Sequence, residues 1–231
     1  MPVRAAFLDA GNTLVGLDYA AIARRIAADG HAVEIPRVRA AEMRARVRLD
    51  PHVAARGSTE GVDVFGWYVR YLLEELGLAW DERGPRIATD LRASRPPLWS
   101  TCLPEAAGAL ETLRGLGLRI AVVSNSDGTV ADLLAELGLA RWLDAVVDSA
   151  VVGVEKPDPR IFRHAAAAVG VAPEEAVHVG DLYSVDVVGA RAAGAQAILL
   201  DPLGAWPVDD CPKAPDVAAA ARLIGRMAGA G

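Results

Sequence analysis

Cysteine and lysine are almost missing from this chain. Its 231 residues hold two cysteines, Cys102 and Cys211, too few for a disulfide framework or a cysteine-built zinc site, so both are expected to pack as small apolar side chains. Its only lysines are Lys156 and Lys213, beside 22 arginines, which makes Lys156 conspicuous. Surplus basic charge is missing too: 24 Lys and Arg stand against 30 Asp and Glu, a formal net charge of −6. Without a basic footprint, no nucleic-acid partner is expected. The apolar runs are short and broken by charge, well below the roughly 20 residues that a membrane-crossing helix needs. The opening, MPVRAAFLDAG, meets an acid after a brief apolar run and lacks the layout of a secretory signal. A cytoplasmic protein with no membrane partner is expected, as a monomer or a homodimer.

What the sequence does have is alternation. From about residue 101, LRIAVVSNS is apolar and β-branched, TVADLLAELGL has helical periodicity and a glycine stop, and LDAVVDSA, DPRIFRHAAAAVG, EAVHVGD, VDVVGARAAG and QAILLD repeat the pattern. Such alternation implies an α/β fold, a doubly wound parallel sheet covered by helices on both faces. Residues 3 to 8 supply one more strand. Between about 16 and 97 the pattern changes to amphipathic helical stretches, YAAIARRIAADG, RAAEMRARVR and VFGWYVRYLLEELG, with no strand between them. The expected organisation is a Rossmann-like core over 1–15 and 98–231, with an α-helical cap inserted over 16–97 and RASRPPLWST as the return hinge. Trp67 and Tyr68 are expected in the cap's own core, His178 as a packed strand residue and Asp201 as a turn residue. The tail reads as a loop and a closing helix.

In an open parallel sheet, ligands bind outside the carboxyl ends of the strands. Asp9 follows AAFL, Ser124 and Asn125 follow RIAVV, and Asp181 follows AVHVG, with Asp186 about one helical turn further on. Lys156, in GVEKPDP, can reach the same edge. Singly, each has a plainer reading, an aspartate after a strand being most often a turn or cap residue. Together they place three carboxylates, a hydroxyl, an amide and an ammonium at one end of one sheet. Carboxylates that close raise one another's pKa unless a cation lies between them. Oxygen-only ligands favour a hard divalent ion, and Mg²⁺ near phosphate is the natural choice. Such an ion would offset the repulsion between a carboxylate nucleophile and a phosphoryl group, with Lys156 and Ser124 steadying the other charges. The inferred chemistry is phosphoryl transfer through Asp9.

The segments FLDAGNTL, VVSNS, EKPDP and VGDLYSVDVVGARAAG occur in that order. Over Val3 to about Asp201 the sequence resembles the haloacid dehalogenase superfamily of hydrolases, in its phosphatase-like branch, and the helical insertion resembles that family's first type of cap. The resemblance implies a small phosphorylated substrate and a covalent aspartyl intermediate on Asp9. It implies that Thr13 and Ser124 position the nucleophile or the phosphoryl oxygens and that Lys156 is the stabilising cation. It also implies a Mg²⁺ site from Asp9, Asp181, Asp186 and the backbone carbonyl of Gly11, with substrate contacts from Asn125 and the loop residues Gly11 and Asn12. In this family the core performs the chemistry and the cap chooses the leaving group.

The sequence departs from the family at Gly11, where most of its phosphatases carry a second aspartate that protonates the leaving oxygen and later activates water. Asn12 stands where glycine is usual, and asparagine tolerates a left-handed backbone, so the loop is expected to keep its shape without the acid. A general acid or base is worth about 10²–10⁴ in rate. The expectation is therefore a slow phosphatase, one favouring good leaving groups, or one that borrows a donor from the cap, for which Tyr19, His31, His52 and Asp63 are candidates. Two alternatives stay open. Haloacid dehalogenation needs no proton donor at that position, although that branch usually has an aromatic there and does not need both Asp181 and Asp186. A catalytically weakened phosphate-binding or regulatory protein would keep the fold but has no need of Asp9. The phosphonate-cleaving branch is excluded, because it needs a cap lysine and residues 15–100 contain none.

Overall fold

The computed structural model describes residues 2–57, 59 and 62–229. β1 (Ala5–Leu8) leads through a tight loop into β2 (Val15–Leu17), and four helices follow, α1 (Tyr19–Ala28), α2 (Ile35–Arg56), α3 (Val62–Glu75) and α4 (Gly84–Arg92). After β3 (Trp99–Cys102) come α5 (Ala106–Gly115), β4 (Arg119–Ser124), α6 (Val130–Glu136), β5 (Ala145–Asp148), the single turn α7 (Ser149–Val152), α8 (Pro159–Val169) and β6 (Ala176–Gly180). The chain closes with α9 (Val188–Ala193), β7 (Gln196–Leu200), β8 (Lys213–Ala214) and α10 (Val217–Gly229). Two compact units result, one from residues up to Gly16 and from Cys102 onward, the other Leu17–Thr101. These boundaries lie one and four residues beyond the expected ones, because β2 and β3 pair as a two-stranded sheet and carry the chain across.

In the α/β unit, six parallel strands run in the order β5-β4-β1-β6-β7-β8. β1 and β6 are buried at every residue, and β4 and β7 at all but their first. Burial without alternation means that both faces of the sheet are covered, which is what an unbroken apolar run encodes. Helix α5 packs with α10, and α8 with α9. The local reasons are legible in α8: Asp158 caps its first turn by accepting from the Arg160 N–H at 2.8 Å, Pro159 starts it, and Gly170 ends it at φ +71°. Between those signals Ile161, Phe162, Ala165, Ala166 and Val169 bury one stripe, and a side chain such as Phe162 contributes about 2 kcal/mol by leaving water.

The helical unit builds its own core from Ile22 and Ile26 of α1, Val38, Ala41, Ala45 and Leu49 of α2, Leu72 and Leu73 of α3, and Ile87 and Leu91 of α4. Tyr68 joins that core, but Trp67 stays 37% exposed and stacks on His52, so the expected aromatic face is split. Glu42, fully buried, accepts from the hydroxyls of Tyr19 at 3.1 Å and Tyr68 at 2.8 Å and pairs with Arg46 at 2.9 Å. Three other expectations need correcting. Cys102 is exposed while Cys211 is buried, because Cys102 ends a strand whose last two residues face water. The tail adds the short strand β8 before its helix, and α4, which buries Ile87, Ala88 and Leu91 along one face, adds a fourth helix to the three stretches read. Asp201 is the turn residue expected, accepting from the N–H groups of Ala205 and Trp206. Among the described residues, no helix is long and apolar enough to cross a membrane.

Candidate active site

Leu8, the last residue of β1, is level with Val122 of β4 on one side and Val179 of β6 on the other. Strand order reverses there, so the chain leaving β1 enters the crevice where open α/β sheets bind ligands. Asp9 is the first residue past the edge; its N–H donates to the Val179 carbonyl at 2.9 Å and its side chain is nearly buried. The loop then turns sharply. The Ala10 carbonyl accepts from Leu14 and Val15, and the Asn12 N–H donates to the Val15 carbonyl at 2.7 Å. That turn requires φ +54° at Asn12, the one positive φ at a non-glycine residue among those described, and asparagine accommodates it.

Ser124 closes β4 and is paired in register with Asp148 at the end of β5. Asp148 caps α7 and also takes the Gly128 N–H at 3.0 Å, which holds down the segment after Ser124. Lys156, on the loop between α7 and α8, is 2% exposed, with Nζ 2.6 Å from Asp9 Oδ1 and 2.8 Å from Asp186 Oδ1. Asp186 Oδ1 also accepts from His178 Nε2 at 2.9 Å, while Oδ2 takes the backbone N–H groups of Asp181 and Leu182 at 3.1 and 3.0 Å. Four donors fill that carboxylate's usual acceptor capacity. Gly180 makes the approach possible, because a Cβ there would sit 2.1 Å from the Asp186 carboxyl carbon. Gly189 does the same for the loop carrying Lys156, since its Cβ would meet the Pro157 backbone at 2.9 Å.

One carboxylate oxygen each from Asp9, Asp181 and Asp186, all buried, lie within 4.8 Å of one another. Burial pushes the Asp9 carboxyl up to about 7, opposed by the Lys156 ammonium and reinforced by Asp186 and Asp181. Burial also works against ionisation of Asp186, but there Lys156 and His178 outweigh it and hold the carboxyl well below its usual range. Burial keeps His178 below its ordinary value, so its imidazole is neutral at pH 7 and donates through Nε2. Three carboxylates against one ammonium leave two negative charges unbalanced when all are ionised. A divalent cation would balance that charge, and the donor set is oxygen only. Two further buried oxygens, Asn12 Oδ1 and Thr13 Oγ1, have no hydrogen-bond partner, whereas Asn12 Nδ2 donates to Asp181 Oδ2 at 3.1 Å. The residues present fit such an ion.

Asp9, Asn12, Lys156, Asp181 and Asp186 are thus joined by direct contacts, and Thr13 lies fully buried in the same loop. Asn125 sits at the same edge, but its carboxamide is bonded to the Lys156 backbone. His178 was expected only as packing and does pack edge-on against Phe162, yet it also bonds Asp186. A polar residue within an otherwise apolar, fully buried strand was the available signal. The four residues expected as substitute donors are engaged inside the helical unit: the Tyr19 hydroxyl with Glu42, His31 with Arg83, His52 with Tyr71, and Asp63 with Arg56.

A family model described as haloacid dehalogenase-like hydrolase matches residues 3–194. The chain belongs to that family. Among haloacid dehalogenase-like hydrolases it is 42% identical over 123 residues to the mouse (Mus musculus) haloacid dehalogenase-like hydrolase domain-containing protein 3, covering 52% of this chain and 49% of the relative. To the phosphoserine phosphatase of Thermus thermophilus it is 40% identical over 161 residues, 64% of this chain and 61% of that enzyme. The chain therefore matches between about half and three fifths of the length of these relatives. The solved structure of the HAD hydrolase YfnB from Bacillus subtilis shares the fold with a TM-score of 0.67 at 16% identity, covering 97% of this chain and 99% of that one. Phosphatases are among the relatives of this haloacid dehalogenase-like chain.

Proposed function

We propose that the chain is a Mg²⁺-dependent phosphoric monoester hydrolase that works on a small phosphorylated molecule through Asp9. The observation that carries the reading is Lys156 Nζ at 2.6 Å from a buried carboxylate that shares a three-acid cluster at the switch point of the sheet. Of the expected ligands Asp9, Gly11, Asp181 and Asp186, direct ligation is proposed for Asp9, Asp181 and the Gly11 carbonyl, and Asp186 stays in the same acid cluster beside the ion. Asp186, already taking four donors, orients Lys156 and completes the charge of the site. When bound, the ion supplies charge neutralisation for nucleophile and phosphoryl oxygens.

Asp9 Oδ attacks phosphorus, forming the aspartyl phosphate as the ester oxygen departs with its electron pair. Lys156, held between Asp9 and Asp186, aims its ammonium at the charge that develops on the phosphoryl oxygens. Water then attacks the aspartyl phosphate, restoring Asp9 and releasing inorganic phosphate. Gly11 offers no side chain to protonate the leaving oxygen or to take the proton from that water. Substrates whose leaving group needs no protonation, acyl and aryl phosphates, are favoured.

The test is hydrolysis of p-nitrophenyl phosphate with Mg²⁺. The parent is expected to turn over, EDTA to abolish the rate and Asp9→Asn to reduce it to background. An inactive parent that also binds no Mg²⁺ by calorimetry would falsify this reading. A parent that binds Mg²⁺ and accumulates a stable aspartyl phosphate from acetyl phosphate would instead be a phosphoryl acceptor.

A further inference from the structure

Asn125 has the position of a substrate contact but the bonds of something else. Its Oδ1 accepts the Lys156 N–H at 2.7 Å, and its Nδ2 donates to the Lys156 carbonyl at 2.9 Å. One carboxamide thus takes both backbone polar groups of a single residue 31 positions away, in the two-point manner by which backbones pair in a sheet. Nδ2 has a longer second contact, 3.4 Å, to Glu155 Oε2. Lys156 is thereby fixed at both ends, its backbone by Asn125 and its ammonium by Asp9 and Asp186. A four-carbon side chain has many rotamers, and only a fixed Cα turns its reach into a fixed position for the charge. A neighbouring clasp of the same kind serves for comparison: Ser149 Oγ accepts the Ser126 N–H at 3.0 Å and donates to the Ser126 carbonyl at 3.1 Å.

We propose that Asn125 is a positioning residue that acts through Lys156, setting where the ammonium stands relative to Asp9, and that its side chain does not bind substrate. The kinetic half of this proposal rests on the phosphatase reading; the geometric half does not. A displaced Lys156 costs the charge stabilisation of the reaction rather than affinity for any one ester. Loss of a substrate contact would weaken binding, and by different amounts for different leaving groups.

The scarcity of lysine makes the experiment clean. Lys156 and Lys213 are the only lysines, and Lys213 is the more open of the two, its side chain 29% exposed against 2%. Brief acetylation of the native, metal-free protein, read by peptide mass spectrometry, therefore carries its own reference. In the parent Lys213 is acetylated and Lys156 is protected. In Asn125→Ala, Lys156 labelling relative to Lys213 is expected to rise at least tenfold, and kcat to fall by about 10²-fold, the scale of a 1 Å misplacement. KM for p-nitrophenyl phosphate and for acetyl phosphate should both stay within about threefold of the parent value, a misplaced charge acting on kcat rather than on ground-state binding. Asn125→Asp keeps the shape and the acceptor but loses the donor, and should fall between the two; it carries the test if the alanine variant does not fold. Ser149→Ala removes the neighbouring clasp and should leave Lys156 protected.

Labelling of Lys156 that stays at the parent level in both Asn125 variants overturns the proposal. So does equal deprotection by Ser149→Ala, which would mean general loosening of the loop, and so does a KM rise confined to one ester with kcat retained. If the parent hydrolyses neither ester, the phosphatase reading fails on its own, and the labelling still decides whether Asn125 holds Lys156.

Discussion

Gly11, two residues past the proposed nucleophile Asp9, has no side chain to donate a proton, and under the proposed chemistry that lack falls unequally on substrates. A p-nitrophenolate leaves readily without protonation, whereas an alkoxide does not, so the missing acid costs most on alkyl phosphates. Gly11→Asp is therefore expected to raise kcat/KM for an alkyl phosphate by about 10² or more while changing that for p-nitrophenyl phosphate by less than about tenfold. Steady-state rates on the two esters side by side measure it, and an equal gain on both would mean that the new carboxylate acts on something other than the leaving group. At this scale the sequence was most informative about charge. Asp9, Ser124, Lys156 and Asp181 were legible as a group because each stands just past a buried strand or on a loop returning to the same edge. Hydrogen bonds between distant residues were not legible. Nothing in SNS announces that Asn125 would spend its amide on the Lys156 backbone, and nothing in AVHVG says that His178 would reach across to Asp186.

Most helices and strands were readable where burial repeats with a period, the nine-residue α4 being an exception, and unreadable where one side chain bends the chain. The π-helical turn Tyr183–Val187 ahead of α9 exists alongside an Asp186 carboxylate folded back onto the N–H groups of Asp181 and Leu182, and such a contact has no periodicity to detect. β8, two residues long, carries too little pattern. A comparable side-chain device joins three elements at the far end of the sheet. Asp144, just before β5, accepts from the Ile120 N–H at 2.8 Å, from Arg114 of α5 at 2.7 Å and from Arg119 of β4 at 3.0 Å. Burial alone would raise its carboxyl, but the Ile120 N–H and the two guanidiniums outweigh it and hold it below its ordinary value. A carboxyl depressed in the folded state stabilises at pH above its unfolded pKa, and that contribution is lost as pH falls through the folded one. Asp144→Asn is expected to cost about 1.5–3 kcal/mol at pH 7, the range for hydrogen bonds involving a charged partner. Urea unfolding at pH 7 and near pH 3 measures the gap, which should narrow at the acid end; a gap that does not change with pH would assign the loss to shape rather than charge.

The division into an α/β unit and a helical unit was legible because apolar periodicity changes from strand-and-helix to helix alone and back, and the exact crossings were not, because two short strands blur both boundaries. All the proposed ion ligands belong to the α/β unit, so cation binding is linked to the stability of that unit. A ligand held only by the folded state stabilises by about 2.7 kcal/mol at one hundred times its Kd, which corresponds to a rise in Tm of roughly 5–10 °C for a domain of this size. Saturating Mg²⁺ is expected to raise the melting temperature of the parent by that order and to leave Asp181→Asn unmoved. The sign in the absence of the ion runs the other way. Asp181 is one of three acids facing a single ammonium, and replacing it by an amide relieves repulsion, so the metal-free variant should melt no lower than the metal-free parent. Hydrogen exchange locates the effect: Mg²⁺ should slow exchange in the loop after β1 and in the turn between β6 and α9 and leave Leu17–Thr101 unchanged. A Mg²⁺ shift of equal size in Asp181→Asn, or new protection spread through the helical unit, would place the ion somewhere other than this carboxylate cluster.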